Sequence, residues 1–102
     1  IGGETVKNDD RYIVKDNASL NNLVVSSTDL KPGKSTSGHK HPGQEEVYNF
    51  IQGSGLMKID EEVFPVSVGD VILIEDGKFH QVINNSDKNL YFVCVFDGSR
   101  KH

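Results

Sequence analysis

The stretch GHKHPGQEEVYNFIQG, residues 38–53, places two histidines one residue apart, then a turn, then two glutamates at the start of an apolar run. Pro42 and Gly43 form a turn-prone pair, so the chain is expected to reverse there and enter a strand at the glutamates. Successive strand residues point to opposite faces. Glu46, Tyr48 and Phe50 should therefore share one face, which brings a carboxylate into an aromatic interior.

The rest of the chain repeats this pattern of short apolar segments separated by turn residues, with no helical spacing of apolar residues over three turns. The segments are rich in Val, Ile, Phe and Tyr, which favours strands, and they are NNLVVSSTDL, EEVYNFIQG, GLMKID, EEVFPVSV, DVILIED, HQVINNS and NLYFVCVFDG. The sequence predicts an all-β fold. Its 102 residues suit a single domain, 1–102, with polar ends at 1–11 and 98–102 expected as arms or frayed segments.

Composition and charge exclude several classes of partner. The net charge is -4 and no basic face is visible, which argues against nucleic-acid binding. No segment has the length of a membrane span or the layout of a signal peptide, so we expect a cytoplasmic protein that does not bind membranes. Cys94 is the only cysteine; it cannot form an intrachain disulfide, and its apolar surroundings predict a small buried hydrophobe.

The internal histidines lie where strands meet loops. On an extended segment, side chains two residues apart point the same way, so His39 and His41 can both reach one ion. His80 begins a further strand after the turn DGKF, and Glu46 points inward. A buried carboxylate needs a partner, and a cation supplies one. Three imidazoles and one carboxylate suit one divalent transition metal (Fe, Mn, Ni, Co, Zn or Cu) and leave a coordination position open.

The spacing of these residues resembles the two motifs of the cupin superfamily. Gly33, His39, His41, Glu46 and Gly53 are similar to the first motif (33–53), and a second set, Gly69, Glu75, Gly77, His80 and Asn84, is similar to the second (69–84). The resemblance implies a small single-domain cupin, or monocupin, with a double-stranded β-helix, a jelly-roll barrel. It also implies a metal held by His39, His41, Glu46 and His80. Glu75 stands where the family usually has proline and adds an acid near the site.

The resemblance implies a metal-dependent enzyme acting on a small oxygenated molecule, either a dioxygenase or a sugar isomerase or lyase. The alternative is a non-catalytic module that binds a metal and a small ligand. Tyr48 and Asn84 are the polar inward residues that could orient a substrate as catalytic groups, or instead close the barrel wall by hydrogen bonds. Glu45 should face outward as a solvated charge, although it could replace Glu46 as a ligand.

The basic residues bear on the substrate. A phosphosugar enzyme needs a phosphate clamp, normally arginine, but Arg11 and Arg100 are both near the ends of the chain, and Lys40 should face outward between the histidines. We therefore expect a small uncharged or carboxylate-bearing substrate.

The segment NLYFVCVF is apolar on both faces. Phe92, Cys94 and Phe96 share the face expected to be inward, which leaves Tyr91, Val93 and Val95 on the other. Such a row of outward apolar residues suggests a covered face. We expect a homodimer packed sheet to sheet; the alternative is that the N-terminal segment RYIVKD folds over this face.

Overall fold

The computed structural model describes residues 1–40 and 43–98, and this part of the chain contains strands and no helix. None of it could therefore cross a membrane as a helix. The predicted all-β fold is confirmed. The nine strands are β1 (Glu4–Asn8), β2 (Tyr12–Asn17), β3 (Leu23–Leu30), β4 (Glu46–Gln52), β5 (Ser54–Ile59), β6 (Glu62–Ser67), β7 (Val71–Ile74), β8 (His80–Ile83) and β9 (Leu90–Asp97).

The strands form two antiparallel sheets. The larger has six strands in the order β1-β2-β3-β9-β4-β7, and the smaller has three in the order β6-β5-β8. The last strand, β9, lies between β3 and β4 and pairs with both. Two sheets wound in this way are a double-stranded β-helix, the jelly-roll arrangement expected from the sequence.

The core lies between the two sheets because the strands alternate as expected. In β4, Glu46, Tyr48 and Phe50 are buried while Val47 and Asn49 are exposed. The same alternation buries Phe92 and Cys94 in β9, with Phe96 half-buried at the end of that strand. The buried apolar side chains are Tyr12, Leu30, Tyr48, Phe50, Met57, Val66, Ile74, Val82, Leu90, Phe92 and Cys94.

The N-terminal segment is ordered sheet rather than the frayed end that its polarity suggested. Residues 4–8 form β1, which pairs with β2, and β2 pairs with β3 over its whole length. The segment RYIVKD is therefore part of the larger sheet, and the alternative in which it folds over the outer face is wrong. Polar composition misled here because an edge strand exposes much of its surface. The C-terminal end, residues 99–102, lies outside the described residues.

The turn between β4 and β5 requires glycine. Gly53 has φ of 88°, and a Cβ there would lie 2.5 Å from the carbonyl oxygen of Asn89. Both the left-handed backbone and this close approach exclude a side chain. The glycine that ends the first motif is thus fixed by the hairpin.

Candidate functional site

His39 and His80 are brought together by backbone pairing. Each donates its amide N–H to the carbonyl of the other, at 3.0 and 2.9 Å, in an isolated antiparallel bridge. Residues directly opposite in such a pair project side chains to the same face. Their ring centroids lie 6.0 Å apart, although the two residues are forty-one positions apart in the sequence.

Glu46 approaches His80 from the other sheet. It is the first residue of β4, and its Oε1 lies 3.5 Å from Nε2 of His80. Nδ1 of His80 donates to the carbonyl of Lys78 at 3.2 Å, which directs Nε2 toward Glu46. Both side chains are buried. A buried carboxylate and a ring nitrogen therefore converge on one point.

The pKa of His80 reflects this pairing. Burial is the largest influence and lowers the pKa of the imidazole, but the hydrogen bond and negative charge of Glu46, with the Lys78 carbonyl, together outweigh it. The net pKa of His80 is raised. Glu46 stabilises the protonated form of His80, so a metal ion that binds at Nε2 would have to displace that proton.

Tyr48 packs beside the pair as a neutral phenol. Its ring stacks on Phe92 at 5.5 Å and meets His80 edge-on at 5.7 Å. Burial raises the pKa of Tyr48 well above its usual value, and charge interactions with Cys94 and Glu46 add to this. Tyr48 can donate a hydrogen bond in the site, but it is not a base at neutral pH.

Cys94 lies across from Tyr48 in the neighbouring strand β9. It is 5 % exposed, and burial, aided by the charge of Glu46, raises the pKa of its thiol. The group therefore stays protonated at physiological pH, in agreement with the expected small buried hydrophobe rather than a nucleophile.

Gln44 is a site residue that the sequence analysis missed. Its side chain is 4 % exposed, and Nε2 donates to the carbonyl of Asp97 at 2.8 Å. That bond fixes the amide orientation, and Oε1 is left buried with no hydrogen-bond partner among the described residues. An unsatisfied buried acceptor calls for a donor. Glutamine in a loop before a strand carries no distinctive sequence signal.

Two other residues that the sequence analysis considered lie away from the pair. Asn84 is fully buried, but its amide donates to the carbonyls of Leu30 and Lys88, and so it ties the loop between β8 and β9 to the end of β3. The structure therefore favours the barrel-closing role for Asn84 over contact with a substrate. Glu75 is exposed and lines a separate surface cavity beside Lys78, so the acid in place of proline is a solvated charge.

The outward residues follow the expected parity. Glu45 and Lys40 are exposed, while their neighbours Glu46 and His39 line the interior. Glu45 is thus not placed to replace Glu46. His41 lies outside the described residues, and its place in the ligand set stays a prediction.

These groups line one cavity of about 390 Å³ between the two sheets. The histidine and glutamate side chains form one part of its wall. The rest comes from aromatic residues, Cys94, polar and apolar residues of β1 to β3, and Thr36 and Gln44 of the segment between β3 and β4. Its lining comprises Val6, Lys7, Tyr12, Val14, Asp16, Ser26, Thr28, Thr36, His39, Gln44, Glu46, Tyr48, His80, Phe92, Cys94 and Phe96.

The donor set in this cavity fits a metal ion. Within residues 1–40 and 43–98 no group of three or more His, Cys, Asp or Glu side chains is close enough to hold a metal ion by itself. Two imidazoles and a carboxylate nevertheless face one space, with His41 two residues from His39. Imidazole and carboxylate donors together suit first-row transition metals.

The fold and this cavity define a small β-barrel protein with a histidine-rich internal site. The family description Cupin domain matches residues 26–96. The chain belongs to the cupin family.

Individual relatives agree with this assignment. The chain is 33 % identical over 66 residues to an oxalate-binding protein of Thermotoga maritima, covering 65 % of this chain and 54 % of that protein. It thus spans about half the length of that relative. The crystal structure of a protein described as a predicted oxalate decarboxylase from Thermotoga maritima matches with TM-score 0.78 at 25 % identity, covering 84 % of this chain and 79 % of that one.

A further crystal structure supports the fold alone. An uncharacterized conserved protein with a double-stranded β-helix domain from Klebsiella pneumoniae superposes with TM-score 0.85 at 20 % identity, covering 96 % of this chain and 86 % of that one. The jelly-roll assignment therefore rests on both topology and superposition.

Proposed function

We propose that this chain is a metal-dependent cupin that binds a small carboxylate-bearing molecule on one divalent transition-metal ion. The ligands are His39, His41, Glu46 and His80. The observation that carries the proposal is the convergence of His39, Glu46 and His80 on one cavity from a loop, β4 and β8. Nothing in core packing requires two imidazoles and a carboxylate to share an interior, because buried charges are costly without a partner.

The ligand set leaves the ion with net positive charge and room for a ligand oxygen. When bound, the ion supplies charge that holds and polarises oxygens of the small molecule. The residues of the chain do the rest: Tyr48 offers a neutral O–H donor, and Gln44 offers a fixed acceptor. The stacked ring of Phe92 helps to exclude water from the wall.

The substrate class follows from charge and from the relatives. Arg11 is held by Asp9 at 3.3 Å and by Ser37 at 3.0 Å, and it does not line the cavity. No arginine of the described residues is therefore available as a phosphate clamp inside it. The names of the relatives, an oxalate-binding protein and a predicted oxalate decarboxylase, favour a carboxylate that chelates through two oxygens.

Catalysis on such a ligand is the second part of the proposal. The described structure of a predicted oxalate decarboxylase favours an enzyme, and a dioxygenase, isomerase or lyase acting on a small oxygenated molecule needs the same cavity. Binding of the ligand by the metal-loaded protein without decarboxylation, oxygen consumption or isomerisation would instead assign a non-catalytic binding module.

Metal analysis tests the site directly. The protein is purified without added metals and analysed by mass spectrometry for Fe, Mn, Ni, Co, Zn and Cu, and titration with oxalate, against acetate, follows by calorimetry. The His41→Ala, His80→Ala double variant should lose the metal, whereas Glu45→Ala, an exposed neighbour, should retain it. Full metal occupancy in the double variant would overturn the proposed site.

Assembly as a homodimer is proposed from the outer face of the larger sheet. Strand register aligns Val25, Val95, Val47 and Leu73 across β3, β9, β4 and β7, and Leu73 is 71 % exposed. Because this row carries no charge, it can pack against the same row of a second copy around a twofold axis without charge repulsion. Light scattering tests this proposal: one chain has a mass of 11.3 kDa, and a dimer should have twice that mass.

A further inference from the structure

We propose that Lys7 is the anion-binding residue of the cavity and selects ligands that carry a second carboxylate beyond the metal-chelating end. The inference rests on the proposed function only for that chelating end. Lys7 belongs to β1, the edge strand of the larger sheet, four strands away from β4 in the sheet order. A ligand that reaches it must extend away from the histidines.

A β-bulge turns Lys7 to the face of β1 that borders the cavity, where the side chain remains exposed. Thr5 pairs with Lys15, which lies on the outer face, so strict alternation would turn Val6 inward and Lys7 outward. The register shifts at this point, and Lys7 is paired with Val14, a cavity residue. Val6 and Lys7 consequently both line the cavity. Bulges commonly redirect a side chain in this way beside functional sites.

The ammonium of Lys7 lies beside the cavity and has no carboxylate of the described residues within ion-pairing distance. Its Nζ lies 5.8 Å from the centroid of the Tyr12 ring, itself a cavity-lining residue. Within residues 1–40 and 43–98, ion pairs within 4.0 Å join other residues: Arg11 with Asp9, Lys78 with Asp60 and His80 with Glu46. Lys7 has no carboxylate at that distance.

The other charged groups around Lys7 leave it as the anion-binding group. Asp16 also lines the cavity, but its Oδ1 already accepts a hydrogen bond from the hydroxyl of Ser26 at 2.6 Å. Arg11 contacts the same Tyr12 ring at 4.5 Å, yet it is paired with Asp9. Among the described lysines and arginines, Lys7 alone lines the cavity. A compact ammonium there attracts carboxylate oxygens.

The first experiment uses metal-free protein, so that it decides the role of Lys7 whatever the metal does. Succinate, a dicarboxylate with no strongly chelating head, is titrated while nuclear magnetic resonance follows the Nζ and Cε groups of the lysines. We expect a saturable shift at Lys7 and none at Lys15, the matched lysine on the outer face of β2. Equal, linear responses at the two lysines would overturn the proposal.

The second experiment uses metal-loaded protein and two ligands with the same chelating head, pyruvate and 2-oxoglutarate, of which only the second carries a distal carboxylate. Lys7→Gln should lower the affinity for 2-oxoglutarate by about tenfold, the usual contribution of a charge-assisted hydrogen bond. The affinity for pyruvate should not change. Lys15→Gln should change neither affinity, and the difference should shrink at high salt.

The outcomes separate the two proposals. If the loaded wild-type protein binds neither of these ligands nor oxalate, the proposed function fails, while the succinate titration still decides the role of Lys7. If both ligands bind and Lys7→Gln weakens them equally, or weakens neither, the selection by Lys7 is overturned and the metal site stands.

Discussion

Replacing Glu46 by glutamine separates its role as a metal ligand from its role in packing. The amide has the shape of the carboxylate but no charge, and the site is 8 % exposed. In metal-free protein the change removes a costly buried anion together with the partner of His80, 3.5 Å away. Because these effects oppose each other and the remaining imidazole can lose its proton, the free energy of unfolding should fall by less than the roughly 3–5 kcal/mol that removal of one partner of a buried ion pair costs.

Metal affinity should respond much more strongly. Replacing a residue that only hydrogen-bonds to a metal ligand typically lowers metal affinity by about 10–100-fold. Glu46 is the charged member of the proposed set, so Glu46→Gln should exceed that upper figure, a loss of more than about 2.8 kcal/mol. Competition against a chromophoric chelator measures it. Glu45→Gln, one residue away and exposed, is the control and should bind metal like the wild type.

The pH dependence of the metal-free protein gives a second measurement of the same coupling. The pKa of His80 is raised because Glu46 and the Lys78 carbonyl together outweigh burial, which by itself lowers it. The stability from this pair is therefore fully present below the unfolded pKa of histidine and is lost as the pH rises through the higher folded value. In Glu46→Gln, only the Lys78 carbonyl still opposes burial, and the pKa of His80 should fall, as followed by the Cε1 proton resonance. An unchanged His80 titration, or wild-type metal affinity, would refute the reasoning.

Three further predictions concern the wall of the cavity and the outer face. Cys94 should resist alkylation in the native protein and react fully in denaturant, since its thiol is buried with a raised pKa; fast native labelling would contradict this. Phe92→Leu should cost about 1–3 kcal/mol of unfolding free energy in chemical denaturation, because its ring stacks on Tyr48, and a neutral result would show that the stacking adds nothing. Val93→Lys should dissociate the proposed dimer in light scattering, whereas Val63→Lys, on the exposed smaller sheet, should not; a wild-type mass near one chain would rule the dimer out.

Local patterns in the sequence were enough to predict seven of the nine strands, β3 to β9, but not β1 and β2, which lie in the segment expected to form an arm. Side-chain alternation depends only on neighbouring residues, so the inward direction of Glu46 and Phe92 and the outward direction of Glu45 could be predicted without knowledge of pairing. The start of β8 at His80 followed in the same way from the turn before it. The motif spacing then resembled a family to which the chain does belong.

Tertiary structure alone decided which distant residues meet. The bridge between His39 and His80 depends on how two loop-flanking segments pair, and neither segment carries a signal for its partner. The same holds for the bulge that brings Lys7 to the cavity. It holds also for the hydrogen bond to Asp97 that orients the Gln44 amide and leaves its Oε1 without a donor among the described residues. Asn84 matched the motif, yet its amide donates to two backbone carbonyls, one at the end of β3 and one in its own loop. Strand register is set by contacts between residues far apart in the chain, and a sequence read locally does not contain them.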